Sequence, residues 1–173
     1  DQLEIYKDRI YILDRLNATS VMVFDTSGHF ITKTKLGDGP GEILCPWFLY
    51  INKKEDRVYI WDEVLRKFYI YDLNLNFLLS TDTRKYGMYD YGESKEGTIL
   101  CYSQHYNPFK DEDFSQKSYN FFILNNDSII NSILPHNFEF HALVINNPIS
   151  DHSDELFFCN PLDYNIYHIE DNR

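Results

Sequence analysis

The sequence predicts an all-β chain assembled from repeated four-stranded units. Three observations predict it: aromatic-rich apolar segments that return at a spacing in the mid-forties, a polar turn that recurs in one register, and a shortage of helix formers. "RIYILD" begins at residue 9 and returns as "RVYIWD" at residue 57, 48 positions on. "VMVFD" at 21–25 returns as "FYIYD" at 68–72, and the series continues as "NFFILN" (120–125) and "NIYHIE" (165–170). "TILCYS" (98–103) and "ELFFCN" (155–160) continue the first series more weakly. Aromatic residues make up 17% of the chain, with 14 Tyr and 13 Phe, which suits pleated, packed surfaces. Alanine stands only at positions 18 and 142, which argues against extensive helix.

Each element follows from this frame. Strands are expected at 2–7, 9–14, 21–25 and 29–36 in the first unit, and at 47–52, 57–62, 68–72 and 77–82 in the second. The third unit is read as 87–93, 98–103, 120–125 and 129–134, and the fourth as 141–146, 155–160 and 165–170. The second strands are nearly continuous apolar runs, so the sheets are expected to pack on both faces. The same hairpin turn separates Phe24 from Phe30, Tyr71 from Phe77 and Leu124 from Ile130, across Asp, Asn and Gly residues that favour turns. Four-stranded units at this period are the pattern of β-propeller blades, placed at about 1–36, 46–83, 86–135 and 140–173 of a single domain. A β-sandwich gives no reason for the fixed period.

The segment "KLGDGPGEILCPW" (35–47) resembles a ligand cradle, but its chemistry is wrong for phosphate. Gly41 is followed by Glu42 and Ile43 rather than by Lys and Ser or Thr, and a strand rather than a helix follows. It reads as the connector between the fourth strand of one blade and the first of the next, where Gly and Pro supply sharp turns.

A net charge of −11 on 173 residues disfavours nucleic acid and anionic membranes as partners. Cys45, Cys101 and Cys159 are far apart and odd in number, so at least one is unpaired, and buried free thiols are expected. No zinc spacing, cofactor fingerprint or apolar run of membrane-spanning length occurs.

Strands ending in Asp14 and Phe24-Asp25, the Gly28 turn and the Gly39-Pro-Gly-Glu42 connector together resemble the NHL-like repeat. More closely, they resemble the six-bladed β-propeller lipoproteins of Gram-negative envelopes. The likeness is good over residues 1–85 and weaker beyond. It implies a six-bladed ring, of which this chain would supply about three and a half to four blades. It also implies an exported protein held in the periplasm or at the outer membrane by a lipidated N-terminus upstream of Asp1. An incomplete ring leaves an open blade edge, through which self-association is expected.

Candidate site residues cluster in loops expected on one face, at 15–20, 63–67, 104–118 and 136–141. Arg15, Arg66 and Arg84 offer cations for a carboxylate or an anionic glycan, against the plainer reading of solvated charge. His105, Tyr106 and Phe109 lie in a long insertion of the third blade, where loops are often functional. His136 and His141 flank Glu139 at a spacing that matches no common zinc site. Asp14 and Asp62 are read as turn caps rather than metal ligands. No nucleophile–base pair stands out, so a non-catalytic module binding a protein, glycan or small molecule is expected, without cofactor or metal. The alternative is a propeller-type lyase or hydrolase using a top-face metal or a histidine base.

Overall fold

The structure, a computed structural model, describes residues 2–82, 90–94, 98–102, 119–125, 128–135, 149–152, 155–159 and 165–170. Among the described residues every regular element is a strand. The chain divides into two compact units, Asp1–Arg84 and Lys85–Arg173. The sheets are antiparallel blades of a β-propeller fold, as the repeat predicts.

In the first unit, β1 (Gln2–Tyr6), β2 (Arg9–Asp14), β3 (Ser20–Asp25) and β4 (Phe30–Lys33) form one sheet in chain order. A two-residue parallel bridge, β5 (Lys35–Leu36) with β6 (Glu42–Ile43), closes the connector on itself. The expected strand 29–36 is therefore two elements. Thr34 breaks it, donating its amide to Val21 O at 2.9 Å and accepting the Val21 amide on Oγ1 at 3.0 Å. The second sheet is β7 (Pro46–Asn52), β8 (Arg57–Asp62), β9 (Lys67–Asp72) and β10 (Phe77–Asp82).

Period-two alternation decides how these sheets meet. Tyr11, Leu13, Val21 and Val23 project from one face of the first blade. They pack on Leu49, Ile51, Val58, Ile60, Tyr69 and Tyr71 of the second, all at most 5% exposed. Gln2 fixes the alignment: its Nε2 donates to Leu49 O at 2.7 Å and its Oε1 accepts the Leu49 amide at 3.0 Å.

The second unit repeats the plan. Its sheets are β11 (Asp90–Glu93), β12 (Ile99–Tyr102), β13 (Tyr119–Asn125) and β14 (Ser128–Pro135), then β15 (Ile149–His152), β16 (Glu155–Cys159) and β17 (Ile166–Ile169). Leu100, Tyr102 and Phe121 pack on Ile149, Leu156 and Phe158, with the Phe121 and Phe158 rings 4.5 Å apart. Buried Asp90 accepts the Ile149 amide at 2.8 Å and so holds the place of Gln2. The register proves the match. Gln2 lies opposite Leu13 and Leu49 opposite Ile60, just as Asp90 lies opposite Tyr102 and Ile149 opposite Phe158. The fourth blade's first strand was expected at 141–146. Its sheet instead takes Ile149–His152, beside β16, and 141–146 lies outside the described residues.

Strand ends share one device. Asp14, Asp25, Asn52 and Asp72 each end a strand and each accept two amides of the following turn on Oδ1, at 2.8–3.1 Å. This explains a surprise in the second blade, where the sequence lacks the glycine of the Gly28 turn. Leu75 occupies the same left-handed position (φ 57°, against 84° at Gly28), and both turns make the same backbone bonds. Its side chain packs on the core, which offsets the strain.

Cys101 alone of the three thiols is buried. Cys45 and Cys159 are half-buried, so the expectation of buried thiols holds for one only, and all three are free.

Two glycines with positive φ separate backbone strain from crowding. A methyl group at Gly28 meets nothing within 4 Å, whereas at Gly41 it lies 2.6 Å from Phe77. Gly28→Ala is expected to cost about 1 kcal/mol and Gly41→Ala roughly 3 kcal/mol in urea unfolding; equal losses would contradict this account.

The caps also set acid stability. Backbone amides, the Asn17 amide foremost for Asp14 and the His29 amide for Asp25, hold both carboxyls below their usual 3.8. Lys7 does the same for Asp56. A depressed native pKa adds stability above the unfolded value and loses it as pH falls through the native one. The urea midpoint is therefore expected to hold from pH 7 to about 5 and to fall below about pH 4. A midpoint unchanged at pH 3 would refute the assignment.

Candidate functional site

One end of the first unit gathers two of the four loops that the sequence singled out, 15–20 and 63–67, with the connector. Strand β2 runs toward this end, β3 leaves it and β4 returns, so the 15–19 loop and the 34–45 connector lie together. Pro46 pairs with Asp62, and the Glu63 amide donates to Cys45 O at 2.9 Å, which brings the 63–66 loop to the same end.

Asp62 organises this end. It is fully buried. Its Oδ2 accepts the Leu44 and Cys45 amides at 2.7 and 3.0 Å, and its Oδ1 accepts the Leu65 amide at 2.8 Å. The turn-cap reading of Asp62 holds, and the side chain also clamps the connector, which spacing alone does not reveal. Asp14 caps its own loop as expected, on the Leu16 and Asn17 amides. The connector's glycines are geometric. Glu42 folds back over Gly37 and Gly39, taking the Gly39 amide at 3.2 Å, and Tyr71 OH donates to Gly41 O at 3.2 Å.

Of the predicted site residues, Arg15 and Arg66 stand at this end. The Arg15 guanidinium lies 5.2 Å from the centre of the Trp47 ring, a cation–π distance. Arg66, in the left-handed region (φ 52°), lines an open depression of about 310 Å³ with Val64, Leu65 and Lys67. Arg84, His105, Tyr106, Phe109, His136 and His141 lie outside the described residues.

Sequence reasoning missed the apolar tips. Leu16 is 84% exposed, Leu36 65% and Val64 64%. Leu16 and Val64 each stand two residues after the strand-ending aspartate of their blade, and that shared offset in a polar loop was the available signal. Trp47, under Arg15, was read only as part of a strand.

Burial, then the nearby Glu63 and Asp62 charges, pushes the Cys45 thiol up, away from a nucleophilic thiolate. Burial also raises Glu63, against the pull of Arg66. Both Asp62 oxygens are taken by amides. Leu16, Leu36, Val64 and Asp38 are exposed at this end, and Arg15, Glu63 and Arg66 are half-buried. Among the described residues, no three His, Cys, Asp or Glu gather as a metal site, and no helix is long and apolar enough to cross a membrane.

Solved structures share the fold. A Bacteroides fragilis NCTC 9343 protein inferred to be exported matches with a TM-score of 0.83 at 20% identity, over 97% of this chain and 47% of its own. Virginiamycin B lyase from Staphylococcus aureus matches with a TM-score of 0.55 at 13% identity, over 98% of this chain and 51% of its own. The chain thus spans about half the length of each. No curated protein matches it.

If Asp62 acts through both oxygens, Asp62→Asn, which presents a donor to at least one amide, is expected to cost roughly 2–4 kcal/mol. Asp14→Asn, at an exposed cap, is expected to cost under about 1 kcal/mol. Similar losses in denaturant titrations would argue against the clamp. A family model matches all of residues 1–173, and the chain belongs to that family, described as "Domain of unknown function (DUF4934)".

Proposed function

We propose that the protein is a non-catalytic binding or scaffolding module of the bacterial cell envelope, holding its ligand on the connector end of the blades. One observation carries this reading. The strand-end carboxylates Asp14 and Asp62 are committed to backbone amides, while exposed Leu16 and Val64 stand on the same capped loops as the half-buried Arg15 and Arg66. Such a surface suits a ligand with an anionic group beside an apolar one: a protein segment, a glycan acid or a small carboxylate. Arg84, His105, Tyr106, Phe109, His136 and His141 complete the set of ligand-binding candidates that the sequence proposes.

Export is supported by the description of the Bacteroides fragilis relative. The six-bladed ring and the lipid anchor rest on the NHL-like connector Gly39–Glu42. The rival lyase reading shares only its fold with virginiamycin B lyase, at 13% identity.

A thermal-shift screen of glycans, small carboxylates and peptides tests the module. A stabilising ligand is expected whose shift disappears in Arg66→Ala, without turnover. Stoichiometric bound metal, with turnover lost in His105→Ala or His141→Ala, would establish the enzyme instead. Location is tested on the parent gene. A leader ending in a lipobox cysteine is expected, and a reading frame with neither leader nor lipobox would sink the anchored-lipoprotein reading.

A further inference from the structure

Strands β4, β10 and β14 are the outer edges of their sheets, and each carries a β-bulge at the same place. Just past the hairpin, Ile31, Leu78 and Ile130 are left without a partner on the neighbouring strand, and they are 44%, 47% and 61% exposed. A bulge interrupts the row of free backbone groups along an outer strand and blunts the edge.

Beyond the bulge, two of these edges are guarded a second time. β4 ends at exposed Lys33, where Thr34 turns back to Val21. β14 is half-buried from Ser132 to Leu134, turns left-handed at Leu134 (φ 55°) and ends in Pro135. β10 has neither device. Phe77, Leu78, Leu79, Ser80 and Thr81 are all exposed, a run without a charge or a proline. Register makes Ser80 the counterpart of Lys33. Ser80 lies opposite Tyr69 and Lys33 opposite Met22, each two residues before the strand position that faces the hairpin phenylalanine, Phe77 or Phe30. Successive strand residues point to opposite sides, so both faces of this edge are open.

We propose that β10 is a docking edge, where an extended apolar and basic segment of a partner protein adds as a further strand. This surface is separate from the ligand site proposed at the connector end. Main-chain hydrogen bonds hold such a segment, and its alternate side chains meet Phe77, Leu78 and Leu79. The charge of −11 on the chain favours a segment that brings cations. Exposed Asp38 lies in the connector whose Gly41 abuts Phe77, and Asp82 closes the strand, with Lys67 opposite it. A second copy of this chain fits less well. It adds another −11, and its matching edge carries the same bulge. Pairing the two edges brings two enhanced twists together near one dyad, whereas an extended segment follows the twist that it meets.

Two blocked octapeptides test this on the full-length protein, read by amide hydrogen exchange: one alternates valine with lysine, the other valine with glutamate. At roughly 1 mM the lysine peptide is expected to slow exchange across residues 77–81 about tenfold, and the glutamate peptide to leave it unchanged. The lysine peptide with every amide N-methylated keeps its charges but has no donors, and is expected to give no protection. Ser80→Lys, which copies the Lys33 guard onto an exposed position, is expected to abolish protection while moving the melting temperature by less than about 2 °C. Protection by the glutamate or the methylated peptide, protection that survives Ser80→Lys, or none from the lysine peptide overturns the proposal. So does peptide-free protection of 77–81 that grows with protein concentration and vanishes in Ser80→Lys, since the occupant is then a second copy.

Discussion

Side-chain capture of backbone amides by a short acid or amide is the constraint on which the rest of this structure depends. A blade of short strands spends much of its length in turns, and each turn leaves N–H groups without strand partners. Here the last residue of a strand answers them. The arrangement reaches its fullest form at Asp62, whose two oxygens join a turn, a connector and a strand end. A charge held at zero exposure is tolerable because three dipoles converge on it. Gln2 and Asp90 apply the same chemistry between neighbouring blades, fixing register where apolar packing alone would allow slippage.

Most of the frame was legible in the sequence because it is periodic. Strands β1 to β3 and β7 to β10 fall within a residue of their expected limits, since alternating burial and turn chemistry leave strong local traces. The non-periodic parts escaped. The start of the fourth sheet at Ile149 is set by pairing with β16 and by the Asp90 bond, both far away in sequence. The Leu75 turn carries no glycine, and its left-handed residue is not marked in the sequence; the cap from Asp72 is what persists. Of the site, Arg15 and Arg66 were legible as loop cations. Exposure of Leu16, Leu36 and Val64 was not, since a leucine in a sequence looks the same buried or bare.

The connector illustrates how far glycine-rich sequence can mislead about chemistry. Gly37, Gly39 and Gly41 invite comparison with anion-binding loops, yet Glu42 occupies the space beside two of them and Phe77 crowds the third. The loop's amides are turned inward, to the Glu42 carboxylate and the Ile43 carbonyl, so it serves as a joint. The neighbouring loops at 15–19 and 63–66 carry no glycine.

Those loops differ in length, 15–19 against 63–66, yet both start from a capping aspartate and end on a left-handed residue, Thr19 or Arg66. Because the anchoring contacts involve the aspartate side chain and main-chain N–H groups, they are indifferent to which side chains the loop displays. Residues at the tip can be exchanged, and even inserted, without disturbing the strands beneath. Divergence between homologues should therefore concentrate at these tips while the aspartates stay fixed, so that the frame and its display vary independently.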